Sequence, residues 1–584
     1  MKTLNHDTIK LRLAEIIQQA TSSLNSTLTV DFIYSQLGMP PDANFGHYAF
    51  PCFALSKELK SAPNNLAEQV SAAIPSNDLA DNIQAVGPYV NLKLSSKFLG
   101  ESVAEEVLSG QLFKRKVLSN PLKTMIEYSQ PNTHKELHVG HMRNLCLGDS
   151  LIKLHQYCGF DIISSTFPGD VGTHVAKCLW FLKYHNNDPI PTENKGAWLG
   201  TLYTKGHLKL ESEAGTLQEE ISKNQMSEIL TELENQQGES YEMWKETREW
   251  SIELMEKVYN WANVEFDRWY WESEVDVPSV EYVNKNLNNG LFIKSKGAVG
   301  VDLSAYNLGF CMLLKSDGHG LYATKDVELA RRKFEDFKIE KSVYIVDKRQ
   351  AHHFAQVFKV LELMGFENAK NCFHLEYDYV ELPDGAMSSR KGNIVPIMDL
   401  IEQMHETVKQ NYLQRYVGEW EESEIENTAD IISKGAIKYG MTKIDPNRKI
   451  VFDMKEWLKI DGDSGTYLQY TYARINSLTK KLAGEVSAMH DWSYLNEEIE
   501  KNILVKLSEF NGQVVQACLD YKPNIICNYL YELCKLYNNF YNLLSIKRTE
   551  DETLKSSRLA LTKCVGIALY KGLELLGIPV PERM

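Results

Sequence analysis

Ile126–Glu127–Tyr128–Ser129–Gln130–Pro131–Asn132–Thr133–His134–Lys135–Glu136–Leu137–His138–Val139–Gly140–His141 is the stretch on which the fold turns. Met125–Ile126 leads into polar turn residues, and then two histidines flank a glycine. Met142–Arg143–Asn144–Leu145 follows with helical periodicity, Leu151, Ile152 and Leu154 among its apolar positions, and Gly159 reads as the stop. Strand, turn and helix start is the order that binds phosphate in an open α/β sheet. Unpaired N–H groups and the positive end of the helix dipole face the anion there. Residues three apart share a helix side, so His138 and His141 can reach one ligand group, with Gly140 allowing close backbone approach. Taken alone, two such histidines are more often ordinary polar residues. Zinc fits less well still, because metal-binding helices usually space histidines four apart and no third ligand is near.

Outward from this stretch, the chain's 584 residues call for several domains. Hydrophobic content of 43% and charged content of 24% are those of a globular protein that stays in water. No apolar run approaches the roughly 18–20 residues of a membrane span. The N-terminus has no apolar signal core, and ten scattered cysteines without C-x-x-C read as reduced thiols in a cytosolic protein, with no structural zinc. Net charge is −15, which argues against a general nucleic-acid binder. The charge is uneven, however: residues 440–584 carry 19 basic and 18 acidic residues, and the rest holds all of the excess acid. A local basic face can still bind RNA, because salt limits distant charge to about 8–10 Å.

Residues 1–115 read as a separate α+β domain. Leu4 to Ala20 is helical, Leu28–Tyr34 reads as a strand, and Gly87–Pro88 turns into an alternating strand to Leu94. Phe45 and Tyr89 are assigned to packing. Residues 116–400 read as a Rossmann-type α/β domain. Asp161–Thr166 is the next parallel strand, and Asp170 is taken as the N-cap of the helix after it. About 180–290 is a helical insertion, strongly acidic from Glu211 to Trp250, whose charges read as a solvated face. The second half of the sheet follows, with Met312–Lys315 and the apolar run Val343–Val346 as strands. Glu127, Asp170, Asp326, Gln350 and His353 fall at strand ends. Acids and amides there suit a cationic small molecule with several N–H donors. Ala386–Met387–Ser388–Ser389–Arg390–Lys391–Gly392 offers hydroxyls and cations that can close over a polyphosphate, although alone it reads as a surface loop. Residues 401–584 read as helical throughout. Tyrosines interleaved with Lys and Arg are more often core, but on an exposed face they suit unpaired bases.

Together the two loops carry a resemblance. His138–Val139–Gly140–His141 resembles the HIGH motif of class I aminoacyl-tRNA synthetases, and Ala386–Arg390 with Lys391–Gly392 resembles their KMSKS loop. Within that class the chain is similar to the arginyl-tRNA synthetase family over nearly its whole length. The matching segments are Glu127–Asn132, Tyr322–Asp326, Gln350–Phe358, Gly465–Tyr470 and the Pro581–Met584 ending. The resemblance implies a multidomain chain: an N-terminal α+β domain that contacts tRNA, a Rossmann-like class I catalytic domain with its insertion, and an all-α anticodon-binding bundle over 401–584. It implies ATP-dependent ligation of L-arginine to tRNA(Arg) through an arginyl-adenylate, with ATP entering as its Mg2+ complex, no membrane association, and a cytoplasmic monomer.

The same resemblance implies the site. His138, Gly140 and His141 would hold the ATP phosphates, with Met387, Ser388 and Ser389 in the closing loop and His353 toward the nucleotide. Arg390 and Lys391 would meet the leaving pyrophosphate. Glu272 and Asp326, with Tyr322, would read the guanidinium, since that fork pairs two-pronged with carboxylates. Glu127, Asn132 and Gln350 would hold the amino-acid end. No residue is assigned to a metal. The chain departs from the class pattern at Ala386, which stands where KMSKS has its first lysine. Lys135, three residues before His138, is the candidate to supply the missing cation.

Overall fold

The computed structural model describes residues 2–4, 7–75, 78–288, 290–295, 297–382, 385–386, 395–482 and 489–584. The chain forms two compact units. One comprises 121–420 and 440–457, the other 1–120, 421–439 and 458–584.

The first unit is built on five parallel strands: β1 Thr124–Glu127, β2 Ile162–Thr166, β3 Arg268–Trp269, β4 Lys341–Asp347 and β5 Cys372–Tyr377. Their order is β5-β4-β1-β2-β3. The chain works outward from β1 to β3, then returns to the other side of β1 for β4 and β5. The order therefore reverses between β1 and β4, the place where open sheets of this type bind ligands. Every residue of β1 is buried, as are the middle residues of β4, because helices cover both faces of a parallel sheet. The helices are α1 Val139–Tyr157, α2 Thr173–Tyr184, α3 Lys195–Glu213, α4 Leu217–Glu234, α5 Glu239–Ala262, α6 Glu272–Lys285, α7 Tyr322–Phe337 and α8 Ala351–Leu363. Met125 and Ile163 of the sheet meet Leu329 and Phe334 of α7 in one apolar cluster.

Helices α3 to α5 make up the acidic stretch. Leu179 and Trp180 of α2 pack on Ile229 and Leu233 of α4, and Leu199 and Leu202 of α3 pack near Trp250 of α5. Helix α4 buries only Ser222, Ile229 and Leu233, which leaves its carboxylates to solvent. β3 falls inside the residues read as insertion, yet it is the edge strand of the main sheet.

Two expectations for this unit change. Met312–Lys315 does not extend the parallel sheet. Phe310–Leu314 pairs antiparallel with Ala298–Asp302, which pairs with Ile293–Ser295. Exposed Phe310 and Met312 alternate with buried Cys311 and Leu313, the pattern of a sheet with one face in water. Nor is 401–584 helical throughout: Ile450–Val451 pairs in parallel with Val380–Glu381 after the Asp445–Pro446 turn.

In the second unit, Tyr48–Pro51, Tyr89–Leu94 and Ala80–Val86 form an antiparallel sheet with Tyr89–Leu94 in the middle. Leu28–Tyr34 is not a strand. Thr29 caps a helix over Val30–Gln36 by accepting from the Phe32 N–H at 3.3 Å. Buried Ile33 and Leu37 set a spacing of four that the short alternating run concealed. Tyr89 is not a packed residue either: its ring stands exposed, edge-on to exposed Phe53 at 5.8 Å. The helices Gly465–Leu482, Glu498–Ser508, Phe510–Leu519, Asn524–Leu543 and Glu552–Leu575 belong to the same compact unit as residues 1–115. The Trp492 indole donates to Glu105 at 2.7 Å, and the Asn511 amide donates to the Leu112 carbonyl at 2.9 Å. Gly100 is required there, since a Cβ would lie 2.1 Å from the Trp492 ring. Among the described residues no helix is long and apolar enough to cross a membrane. None of the ten cysteines is in a disulfide.

Candidate active site

A cavity of about 420 Å3 opens at the carboxyl ends of β1 and β4, where the strand order reverses. Of the residues expected at the site, Glu127, His141, Tyr322, Asp326, Gln350 and His353 line it. Glu127 ends β1, Tyr322 opens α7, and Gln350 precedes α8. Three strand-to-helix connections therefore converge on one space.

The acidic wall is held by partners that no motif announced. The Glu127 carboxylate forms a buried ion pair with Lys333 of α7, whose side chain is fully inaccessible. Its other oxygen accepts from the Gln130 amide at 3.2 Å. Asn144 of α1 fixes that strap. Its amide N–H donates to the Ile345 carbonyl at 2.9 Å and to Gln130 at 3.3 Å, and its oxygen accepts from the Ser129 N–H at 2.7 Å. Ser129 sits in the left-handed region, φ 53°, a conformation that such a bond helps to hold. Asp326 meets His353 Nε2 at 2.5 Å. Burial alone would lower the His353 pKa, but the hydrogen bond and charge of Asp326 outweigh it and raise the pKa above its ordinary value. Tyr322, 71% exposed, stands free at the rim.

The two histidines form their own helix cap. His138 Nδ1 accepts from the Gly140 N–H at 3.2 Å, and His141 Nδ1 accepts from the His138 N–H at 3.1 Å. The rings lie 4.0 Å apart. Burial, then the nearby Lys135 charge, brings His138 down to about 4. Burial, His138 and Lys135 hold His141 well below its ordinary value. Both are neutral near pH 7. With Nδ1 used as acceptor, the ring proton is on Nε2, so each imidazole keeps one N–H donor for a ligand. His141 lines the cavity and His138 does not.

Asn132 and Glu272 also fall outside the lining. They face each other over Gly169, where a Cβ would lie 2.4 Å from Asn132 Oδ1 and 3.0 Å from Glu272 Oε2. Glu272 is buried and pairs with Lys325 Nζ at 2.7 Å, next in sequence to Asp326. Burial, partly offset by Lys325, raises its pKa. Asp170 does not cap the helix after it. That helix begins at Thr173 behind Gly172, without a side-chain cap. Asp170 instead accepts from the Ser273 N–H at 2.9 Å, at the start of α6, and pairs with Arg248 of α5 at 2.8 Å. Its partners are 78 and 103 residues away, beyond the reach of local pattern.

Met387, Ser388, Ser389, Arg390 and Lys391 lie outside the described residues. The described chain ends before them at Ala386 and resumes at Val395. Gly385–Ala386 pairs with Glu381–Leu382. After them, the Val139 N–H donates to the Val395 carbonyl at 3.0 Å, and the Ile397 N–H to the Leu137 carbonyl at 2.9 Å. Val395 to Ile397 thus runs beside the first histidine. Lys135 Nζ stands 5.2 Å from the centroid of the Tyr203 ring of α3. Among the described residues no group of three or more His, Cys, Asp or Glu could hold a metal ion.

Sequence reasoning passed over Lys333 and Asn144, and over Asp347 and Tyr377, which also line the cavity. Single polar residues on separate elements give no spacing signal, although Asn144, the sixth residue of α1, could have been suspected as a buried amide.

Three family matches cover this architecture. Residues 89–454 match "tRNA synthetases class I (R), catalytic domain", 468–584 match "DALR anticodon binding domain", and 9–94 match "Arginyl tRNA synthetase N terminal domain". The chain is 52% identical over 583 residues to the arginine–tRNA ligase of Bdellovibrio bacteriovorus, with 100% of both chains covered. It is 34% identical to that of Clostridium botulinum, covering 98% of this chain and 100% of the relative. Among solved structures, the arginyl-tRNA synthetase of Thermus thermophilus superposes with a TM-score of 0.77 at 26% identity, over 98% of this chain and 100% of that one. A class I catalytic match over most of the chain, together with a full-length relative at 52% identity, means that this chain belongs to the arginyl-tRNA synthetase family.

Proposed function

We propose that the chain ligates L-arginine to tRNA(Arg) in two steps, through an arginyl-adenylate, and releases AMP and diphosphate. The observation that carries this reading is the cavity at the β1/β4 reversal, acidic on one side through Glu127 and Asp326 and flanked by neutral imidazole donors on the other. Acids suit the guanidinium and the α-ammonium of arginine. Neutral N–H donors suit phosphate oxygens without adding a proton that would titrate near pH 7.

In the first step the arginine carboxylate attacks the α-phosphorus of ATP, and the bond to the β-phosphate oxygen breaks. The carboxylate is already ionised, so the protein's task is alignment and charge neutralisation. His138 and His141 are assigned to the phosphates through Nε2–H, with Gly140 leaving room for the nucleotide. Met387, Ser388 and Ser389 are assigned to ATP, and Arg390 and Lys391 to the departing diphosphate. Lys135 takes the place of the lysine that Ala386 replaces. ATP enters as its magnesium complex, in which phosphate oxygens and water are the usual ligands. In the second step the terminal ribose 2′-hydroxyl of the RNA attacks the anhydride carbonyl and AMP leaves.

Asp326 and Glu272 are assigned to the guanidinium side with Tyr322, and Glu127, Asn132 and Gln350 to the amino-acid end. His353 is reassigned from ATP to Asp326, which it contacts. Residues 1–115 are proposed to contact tRNA, 116–400 to carry the chemistry and 401–584 to read the anticodon, in a cytoplasmic monomer. ATP–diphosphate exchange measured over the amino acids, with and without tRNA(Arg), tests the reading. Exchange that needs both arginine and the RNA supports it, and exchange with another amino acid overturns it.

A further inference from the structure

In the segment between the arginine side and the histidine pair, Thr133 is tied to the Gly169 carbonyl by its N–H at 2.9 Å, and His134 to Glu136 meet the helical insertion. His134 is the centre of the attachment. It is fully buried and sits in the left-handed region, φ 60°. Its backbone N–H donates to Ser251 Oγ at 2.9 Å, and its ring Nε2 lies 2.8 Å from Thr247 Oγ1. The Thr247 hydroxyl spends its own proton on the Met243 carbonyl at 2.8 Å, so it accepts from His134 Nε2–H. Nδ1 then carries no proton and faces the Thr133 hydroxyl at 2.9 Å, whose proton is shared between Nδ1 and the Gly169 carbonyl at 3.2 Å. Burial, then Arg248, brings His134 down to about 3, so this arrangement is a neutral one and does not change near pH 7.

Thr247, Ser251 and Tyr259 lie at multiples of four along α5 and therefore on one face. Tyr259 completes the row, with its hydroxyl 3.0 Å from Ser129 Oγ. The other side of the segment meets α3. A Cβ at Gly200 would lie 2.6 Å from the Glu136 N, so the α3 backbone touches the strap directly. Lys135 lies between these two fixed neighbours, with its ammonium over the Tyr203 ring of α3.

We propose that the insertion is the positioning device for Lys135. Thr247 and Ser251 set it through His134, and Gly200 sets it through Glu136, so that its ammonium reaches the leaving diphosphate. This rests on the reading of Lys135 given above, and it assigns to α3 and α5 a task in the first chemical step. Thr247, Ser251 and Gly200 are positioning residues; none of them lines the cavity.

The test is arginine-dependent ATP–diphosphate exchange with tRNA(Arg) present, in the full-length enzyme, for Thr247→Val, Ser251→Ala, Gly200→Ala and Lys135→Ala. Thr247→Val and Gly200→Ala are also made in the Lys135→Ala background. Displacing a reacting group by about 1 Å costs up to roughly 100-fold in rate, so each single positioning variant is expected to lower kcat by roughly 10- to 100-fold. The KM for arginine stays within about twofold, because the acidic wall is anchored elsewhere. Thr247→Ser restores the hydroxyl and the rate. Once Lys135 is gone, neither variant has further effect, since the loss has one common route. Multiplicative losses in the Lys135→Ala background, or full rates for Thr247→Val and Gly200→Ala beside a slow Lys135→Ala, overturn the inference and leave the Lys135 reading standing. A Lys135→Ala enzyme at full rate overturns both. Ser251→Ala and Gly200→Ala carry the test if Thr247→Val does not fold.

Discussion

His353 Nε2 stands 2.5 Å from Asp326 Oδ2, and both residues line the same cavity. An acid proposed to receive the substrate's guanidinium is thus already occupied by a titratable partner, whose pKa it raises above the ordinary histidine value. While His353 is protonated, its charge cancels that of Asp326, and arginine must compete for the carboxylate. As pH rises through the raised pKa the imidazole becomes neutral and the carboxylate becomes available. The pair's own stabilising contribution runs the same way: it is full below the ordinary histidine range and fades as pH climbs through the raised value.

The arginine KM is therefore expected to fall as pH rises from about 6 to 8.5, by roughly fivefold if about 1 kcal/mol of competition is relieved. His353→Gln removes the titration, and its KM should be flat over that range. An unchanged slope in His353→Gln would assign the dependence to another group.

The buried pair of Glu127 and Lys333 predicts a stability effect in place of a pH effect. Both side chains are almost wholly withdrawn from water. Lys333→Met leaves a buried carboxylate that keeps the Gln130 amide but has lost its counter-charge, and breaking such a pair costs about 3–5 kcal/mol. Denaturant melts should show the transition of this unit shifted down. Adding Glu127→Gln to Lys333→Met removes the stranded charge and should recover much of the loss in the melt, while arginine activation stays impaired. If the double variant is no more stable than Lys333→Met, the destabilisation does not come from an unpaired charge.

For His138, the cap and the donor can be separated. Asn keeps an oxygen that can accept the Gly140 N–H but has no Nε2–H. His138→Asn is expected to melt like the parent while exchange drops by about 100- to 1000-fold, the usual loss for one transition-state donor. His138→Ala forfeits the cap as well, at about 1 kcal/mol. Because both histidines are already neutral, the exchange rate should show no titration from either of them between about pH 6 and pH 8. A parent rate that follows a histidine titration, absent from His138→Asn, would show the charged form at work.

These relationships differ in how far they could be read from the chain. β1 and α1 were legible because an apolar run, a polar turn and a helical run stand side by side. β4 was legible because Val343–Val346 is a continuous apolar run of the kind that only a covered strand supports. The insertion announced itself by its acids. Lys333 did not, because a lysine on a helix is normally solvated and nothing local marks its burial opposite Glu127. The strand expected at Leu28–Tyr34 failed because periods of 2 and 3.6 coincide over so short a run, and the Thr29 cap decides between them. Asp170 was misread for a related reason: a cap is a local rule, and its real partners, Ser273 and Arg248, arrive through the fold. Of the acids that line the cavity, Glu127 and Asp326 were named from sequence and Asp347 was not. Nor was what held each acid in place.

Gly169 allows the arginine assignment of Asn132 and Glu272 to be tested apart from stability. Backbone bonds hold it on both sides: the Thr133 N–H donates to its carbonyl at 2.9 Å, and its own N–H donates to the Pro131 carbonyl at 3.2 Å. The peptide therefore cannot retreat from an added methyl. What must move is the Asn132 amide, 2.4 Å from the Cβ position, and then the Glu272 carboxylate at 3.0 Å. Both are ends of rotatable side chains, so Gly169→Ala should cost little in the melt. If Asn132 and Glu272 hold arginine, displacing them together should raise its KM by roughly tenfold or more, the cost of about 1.4 kcal/mol of lost contacts, while the KM for ATP changes little. Glu272 cannot move freely, because Lys325 holds its other oxygen at 2.7 Å, so the amide of Asn132 takes most of the displacement. Asn132→Ala should then reproduce the Gly169→Ala defect, and the two together should do no more than either alone. An arginine KM that is unchanged in Gly169→Ala would remove Asn132 from the amino-acid site.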